Sequence, residues 1–365
     1  MAAIEYPYGR TVGQVHDQDG QRKVLKAALS VLENAKEPGR ISHLPFTWPE
    51  EPKNTDWQPP EMSPIVKLNL DEIKRLGAEA KRKRNQITNF LRVDMPIAKI
   101  ENLDIYYEII GQGDPLVMIR GVGSNLDHWY EQIPDLSKKY QLLVFDNRGI
   151  ARSSDPEGSF STRDMAADTM ALMEAVGIKK AHVLGYSMGG MIAQELALAY
   201  PGKINGLILV ATDCGISMRI KARPEYSSLF TEMIRLGTNE AKTAAAGCLF
   251  AKQTFESRPD IIQRYAEVSL RFPAAQKTLE RQWEAITRHE ACGRLQNINA
   301  PTLVITGSED VLIPAENSRV LAKRIPNARV RSIDGGGHLF VVEQAQQFNE
   351  AVLGFLDGLS QQEGS

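Results

Sequence analysis

A lone serine, Ser187, sits in "GYSMG", with Gly185 two places before it and Gly189 two places after. The stretch "AHVLGY" ahead of it is an apolar run of strand type, and "MIAQELALAY" behind it repeats apolar residues at helical spacing. A serine at such a junction stands clear of a sheet only if the chain turns sharply. That turn crowds the positions two residues away on either side, so both must be small. It also presents the hydroxyl at a helix N-terminus, where backbone N–H groups point outward. The chemistry served is nucleophilic attack. A serine hydroxyl is a weak nucleophile near neutral pH, so it needs a base, and the base needs an orienting carboxylate.

The base must come from six histidines: His16, His43, His128, His182, His289 and His338. His338, in "SIDGGGHLFVVEQ", follows the last strand-like run in a glycine-rich loop. That places it beyond a strand's C-terminal end, where the sites of open α/β sheets gather. His182 lies inside the strand leading to Ser187 and reads as core. His289 falls in a helical region, and His128 follows the first sheet turn, where it could line a pocket. For the carboxylate, Asp310 in "PTLVITGSEDVLIP" follows a strand by a short turn, giving the order Ser187, Asp310, His338. Two rivals stay open. Glu309 is adjacent, and Asp213 in "ILVATDCG" ends the strand after the nucleophile. Position favours Asp310. An oxyanion needs two prepositioned N–H donors. The backbone of Met188, just after the serine, and that of Val122, in "MIRGVGSNLDHW", are the expected pair. Gly121, Tyr186 and Trp129, beside these groups, are the expected substrate contacts.

The elements that must position these residues begin near residue 98. "KIENLDIYYEIIG" alternates like a hairpin turning at Asn102-Leu103. Short apolar runs follow at 115–119, 141–145, 181–186, 206–211, 302–306 and 328–333, with helical stretches between most of them. Apolar runs without alternation indicate strands buried on both faces. The expected fold is therefore α/β, a mostly parallel central sheet flanked by helices. Between 211 and 302 no strand pattern occurs. Amphipathic stretches at 225–236, 258–270 and 276–289 predict a helical cap over 216–298. It splits the core into 98–215 and 299–360, ahead of a tail at 361–365. The cap's Leu229, Phe230, Met233, Leu249, Phe250, Phe255 and Trp283 divide between core and pocket in a way the pattern leaves open.

Residues 1–97 differ. Seven prolines between 38 and 64, with Trp48 and Trp57, predict an extended stretch. Helical spacing at 20–34 and 70–91 flanks it. Leu44, Phe46, Trp48 and Trp57 are costly to leave in water. The segment is therefore expected to wrap over a surface, its own or that of a second subunit in a homodimer. The "KRKR" run at 81–84 reads as a solvated helix face, because the net charge is −2 and the basic footprint of a nucleic-acid binder is absent. No apolar run approaches a membrane span, and "MAAIEYPYGR" has no signal-peptide pattern. Three cysteines, Cys214, Cys248 and Cys292, lack C-x-x-C spacing. They predict neither a disulfide framework nor a metal site, and hence a cytoplasmic protein.

Residues 98–358 resemble the α/β-hydrolase fold superfamily, and within it the esterase and lactonase branch that includes 3-oxoadipate enol-lactonase-like proteins. The stretches that carry the likeness are "GYSMGGMIAQELALAYP", "VFDNRGIARSSDP", "APTLVITGSEDVLIP" and "GGGHLFVVEQ". The resemblance covers about seven tenths of the chain and implies a triad at Ser187, Asp310 and His338. The family's usual His-Gly after the first parallel strand is here Arg120-Gly121, and a usual glycine is here Ala151. The implied activity is hydrolysis of a small carboxylic ester or lactone, with no metal and no organic cofactor. Dehalogenases and epoxide hydrolases of the fold carry aspartate where Ser187 stands. Carbon–carbon hydrolases share the triad order but usually carry a G-P-G stretch that "RGVGSN" lacks. A cofactor-free perhydrolase would use the same residues. A non-enzymatic receptor would be expected to lose part of the triad.

Overall fold

The structure is a computed structural model that describes residues 96–236 and 239–363, together with 2–5, 22–23, 26 and 42–47. The chain divides into two units, Met1–Val93 and Asp94–Ser365. In the first, β1 (Ala2–Glu5) and β2 (Ser42–Thr47) pair in parallel, Ala2 opposite Ser42. The proline-rich stretch is thus extended where it is described. Residues 22, 23 and 26 are helical. The rest of the expected helices at 20–34 and 70–91, with Trp48 and Trp57, lies outside the described residues.

The second unit holds an eight-stranded sheet in the order β10-β9-β8-β7-β5-β6-β4-β3. Its strands are β3 (Ile97–Ile100), β4 (Leu103–Ile110), β5 (Asp114–Ile119), β6 (Tyr140–Phe145), β7 (Ala181–Tyr186), β8 (Ile204–Val210), β9 (Thr302–Gly307) and β10 (Ala328–Ile333). β3 and β4 are antiparallel to each other, as are β4 and β6, and every other pairing is parallel. The continuous apolar runs have the predicted cause. β7 and β9 are buried at every position. Along β5, Val117 and Ile119 enter one core, while Leu116 and Met118 enter another on the opposite face. Two helices, α1 (Thr162–Ala175) and α2 (Met188–Ala199), supply the first core. The C-terminal helix, Ala345–Glu363, supplies Phe348, Val352 and Leu356 to the second. β10 is the exception. It is an edge strand, and Arg329 and Arg331 are exposed on it, as charge on a free edge discourages pairing with another chain.

The β3–β4 hairpin turns at Glu101-Asn102, one residue earlier than expected, because Leu103 already pairs with Ile100. Leu103 is buried, and that burial draws it into the strand. Exposed Glu101 takes the left-handed backbone, φ 50°.

Between β8 and β9 run α3 (Pro224–Leu236), α4 (Asn239–Leu249), α5 (Lys252–Ser257), α6 (Pro259–Arg271) and α7 (Gln276–Arg288). The periodicity found three of these to within a residue or two. It did not single out α4 or α5, which are shorter. α8 (Glu316–Arg324) joins β9 to β10, and α9 is the C-terminal helix Ala345–Glu363. Among the described residues no helix is long and apolar enough to cross a membrane.

The reading of the cysteines requires correction. Cys214 and Cys292 form a disulfide, 78 residues apart in the chain. The bonding of Gly215 to Glu290 and of the Ala291 N–H to the Cys214 carbonyl (2.7 Å) brings together the two ends of the helical insertion. Sequence spacing carries no trace of that closure. With a disulfide present, cysteine usage no longer argues for a reducing compartment. Cys248 remains a thiol. Burial pushes its pKa up to about 11, so it is no rival nucleophile.

Candidate active site

Sheet register assembles the site. Ile119 lies opposite Gly185, Tyr186 opposite Val210, Val210 opposite Ile305, and Gly307 opposite Ile333. The carboxyl ends of β5, β7, β8, β9 and β10 are therefore level, and the segments leaving them converge where open α/β sheets bind ligands. Ser187 leaves β7 with φ 55° and ψ −120°. That is a costly conformation for a residue with a side chain, sustained only by the structure around it. The flanking glycines are obligatory for a measurable reason. A Cβ at Gly185 would fall 2.2 Å from the Gly189 carbonyl oxygen, and one at Gly189 would fall 2.1 Å from that of Ile119. The Ser187 N–H donates to the Val210 carbonyl at 2.8 Å, which pins the turn to the neighbouring strand.

His338 and Asp310 meet Ser187 in one hydrogen-bonded line. His338 Nδ1 lies 2.8 Å from Asp310 Oδ2. A carboxylate only accepts, so Nδ1 carries the proton, and Nε2 accepts from the Ser187 hydroxyl at 3.2 Å. Asp310 is buried, and its other oxygen accepts from the amides of Leu312 (3.0 Å) and Ile313 (2.8 Å). Its rivals face elsewhere. Glu309 is exposed. Asp213 pairs with Arg219 at 2.8 Å and accepts from the Gly215 amide.

The loop carrying His338 is held by contacts that the sequence alone did not mark, among them those of Glu343. Glu343 is buried and accepts from the Gly337 amide at 2.8 Å and the Ala251 amide at 2.7 Å. Burial raises its carboxyl pKa, against the pull of those amides. The Tyr186 hydroxyl donates to the His338 carbonyl at 2.9 Å. Behind Tyr186 lies Arg120, fully buried, its guanidinium 4.6 Å from the Tyr186 ring centre and 4.5 Å from that of Trp129. Burial lowers its pKa, and the surrounding tyrosines oppose that shift. Arginine in place of the family's histidine thus builds a cation–π sandwich under the loop.

A cavity of about 720 Å³ opens above Ser187 and His338. Gly121, Val122, Gly123 and Ser124 form one wall. A Cβ at Gly121 would fall 3.0 Å from the Ser187 Cβ, so this turn passes directly beside the hydroxyl. Met188 is buried in the first turn of α2. Of the three expected substrate contacts, Gly121 and Tyr186 line the cavity, whereas Trp129 is fully buried in its stack on Arg120. From the insertion, Phe230, Met233, Leu249, Phe250 and Phe255 line it. Trp283 packs instead on Phe230, with ring centres 5.6 Å apart.

His128 also lines the cavity. Its Nε2 meets Ser269 Oγ at 3.0 Å and its Nδ1 meets Asn125 Oδ1 at 2.9 Å. Burial first, and the Arg120 charge second, push its pKa down to about 3, so it stands neutral. His289 is buried against Thr162 Oγ1 at 3.0 Å. His182 is buried edge-on to Tyr140, as read from its place inside β7.

The chain matches the model of the alpha/beta hydrolase fold over residues 114–345. A protein of Azorhizobium caulinodans, provisionally named a carbamate hydrolase, is 32% identical over 270 residues, which span 73% of this chain and 100% of that one. A Mycobacterium tuberculosis protein, provisionally named a non-heme bromoperoxidase, is 33% identical over 259 residues, spanning 69% of this chain and 97% of its own. The solved structure of the enol-lactonase from Burkholderia xenovorans superposes with a TM-score of 0.65 at 25% identity, covering 72% of this chain and 100% of that one. The elbow at Ser187, the level strand ends and these likenesses agree: the chain belongs to the α/β-hydrolase fold family.

Proposed function

We propose that the chain is a serine hydrolase that cleaves a small carboxylic ester or lactone through an acyl-enzyme. The observation that carries this reading is the line from Ser187 Oγ through His338 to Asp310, at 3.2 and 2.8 Å. Ser187 attacks the carbonyl carbon while His338 Nε2 takes its proton. Asp310 holds the imidazole in the required tautomer and steadies the imidazolium that forms. The backbone N–H groups of Met188 and Val122 donate to the developing oxyanion. His338 then gives its proton to the leaving oxygen, and a water repeats the sequence to release the acid. This chemistry requires no metal and no organic cofactor. The apolar lining from α3 to α6 supports an apolar group on the acyl or the alcohol side.

A second reading has one observation in its favour, the likeness to a protein provisionally named a bromoperoxidase. Peroxide in place of water would release a peracid from the same acyl-enzyme. Both readings are tested together. A fluorophosphonate should label the wild type once, at Ser187. Ser187→Ala should lose turnover by on the order of a million-fold. A panel of aryl esters, methyl esters, lactones, thioesters and carbamates, beside a peroxide-dependent halogenation assay, assigns the substrate class. Labelling at another residue, or a Ser187→Ala chain that still turns over, sinks the mechanism.

A further inference from the structure

The insertion does more than roof the cavity. α7 is amphipathic, and Leu279, Gln282, Trp283 and Ile286 follow one another at helical spacing on its inward side. Gln282 is a fully buried amide there, on the same helix as buried Thr278 and Arg281. Its Oε1 accepts from the backbone N–H of Gly123 at 2.9 Å, across 159 residues of sequence. Gly123 is the corner of the turn that carries Val122. Its φ is 67°, and its own carbonyl side is closed by the Ser124 N–H bond to Gly121 at 3.3 Å. Leu279, one turn earlier on α7, seats against the same corner: a Cβ at Gly123 would fall 2.8 Å from Leu279 Cδ2. The turn is therefore gripped at one point by a polar group and a methyl group from a single helix. The amide nitrogen of Gln282 has no hydrogen-bond partner among the described residues.

We propose that Gln282 is a positioning residue for the reaction. By holding the Gly123 amide, its side-chain carbonyl fixes the Gly121–Ser124 turn so that the Val122 N–H faces the developing oxyanion. The inference rests on the acyl-enzyme reading above. Oxyanion donors act only if aimed at the place the charge will occupy, and removal of one costs about 10²–10³ in kcat. A donor left in place on a loosened turn loses part of that. Gln282 enters no bond-making step, and the ground-state carbonyl feels it little.

The test compares wild type with Gln282→Met, which keeps the length and removes the acceptor. Gln282→Met should lower kcat by roughly tenfold to a hundredfold, with KM within about threefold of wild type. Its affinity for a trifluoromethyl ketone, which adds to serine and carries an oxyanion, should fall by the same factor as kcat/KM. Its affinity for the isosteric amide, which stays a ground-state carbonyl, should not. Melting curves of each variant establish that it is folded, and Gln282→Asn, shorter by one methylene, serves in place of the methionine variant should that chain not fold. Wild-type kcat in Gln282→Met, or equal losses for ketone and amide, would each overturn the proposal. If instead wild type fails to bind the ketone at Ser187, the acyl-enzyme reading fails first, and the two failures are told apart.

Discussion

At the residue scale the site is a matter of which carboxylate reaches His338. Asp310 does so at 2.8 Å, while two backbone amides fix its other oxygen, so that it cannot rotate away. Asp213 spends both oxygens elsewhere, on Arg219 and the Gly215 amide. Asp310→Asn should therefore lose ~10⁴-fold in kcat, because an amide in that place no longer selects the imidazole tautomer. Asp213→Asn should stay within about tenfold, through local loosening alone. Steady-state kinetics on one ester decides between them. A dead Asp213→Asn beside an active Asp310→Asn would move the orienting acid to the end of β8.

At the element scale the turn after β6 illustrates a departure from the family pattern. Ala151 stands where a glycine is usual, and its φ is 48°. A left-handed backbone costs an L-residue roughly 1–2 kcal/mol. The turn is held regardless, because Arg152 next to it bonds fully buried Asp146 at 2.7 Å and Asp127 at 2.9 Å. Ala151→Gly relieves the strain, and glycine's larger unfolded-state entropy gives back part of the gain, ~0.5–1 kcal/mol. The net stabilisation should be on the order of 0.5–1 kcal/mol, a rise of roughly 1–4 °C in melting temperature for a domain of this size. Calorimetry of the two chains checks it, and a lower melting temperature for the glycine variant would show that Ala151 packs usefully.

At the scale of the whole molecule, two of the buried histidines among the described residues, His128 and His289, are held uncharged by their surroundings. Burial, with Arg120 beside one and Arg219, Arg294 and Arg163 near the other, pushes the pKa of His128 and of His289 down to about 3. The unfolded chain protonates both near the ordinary value of 6.5. Their folded pKa is depressed, so the unfolded state binds more protons between pH 6.5 and 3. Their contribution is present above pH 6.5 and is lost as pH falls through that window, at up to ~1.4 kcal/mol per pH unit for each. Glu343 and Asp168 act in the opposite sense, because burial raises their carboxyl pKa values and acidification relieves them. The melting temperature should fall from pH 7 to pH 5, and His289→Gln should flatten that slope. A melting temperature unchanged from pH 7 to pH 5 in wild type would contradict the buried-neutral assignment.

The sequence by itself determined the parallel sheet, because strands buried on both faces must be apolar throughout. It also determined Ser187, because only glycine fits where carbonyl oxygens stand 2.1–2.2 Å from a would-be Cβ. His338 and Asp310 were legible from their places after β10 and β9, since order along the chain maps onto the level carboxyl ends of the strands. Other features depend on contacts between residues far apart in sequence, which local pattern does not record. The disulfide needed the two ends of the insertion to meet. Trp129 needed Arg120 to draw it into a buried stack. Glu343 needed the Gly337 and Ala251 amides, and Gln282 needed the Gly123 amide 159 residues away. The pattern of α7 carried no local sign of that last contact, because Thr278 and Arg281 are buried on the same helix as Gln282. Only the tertiary structure could say which amide it serves, because an unmet N–H is a property of a place in space and not of a position in the chain.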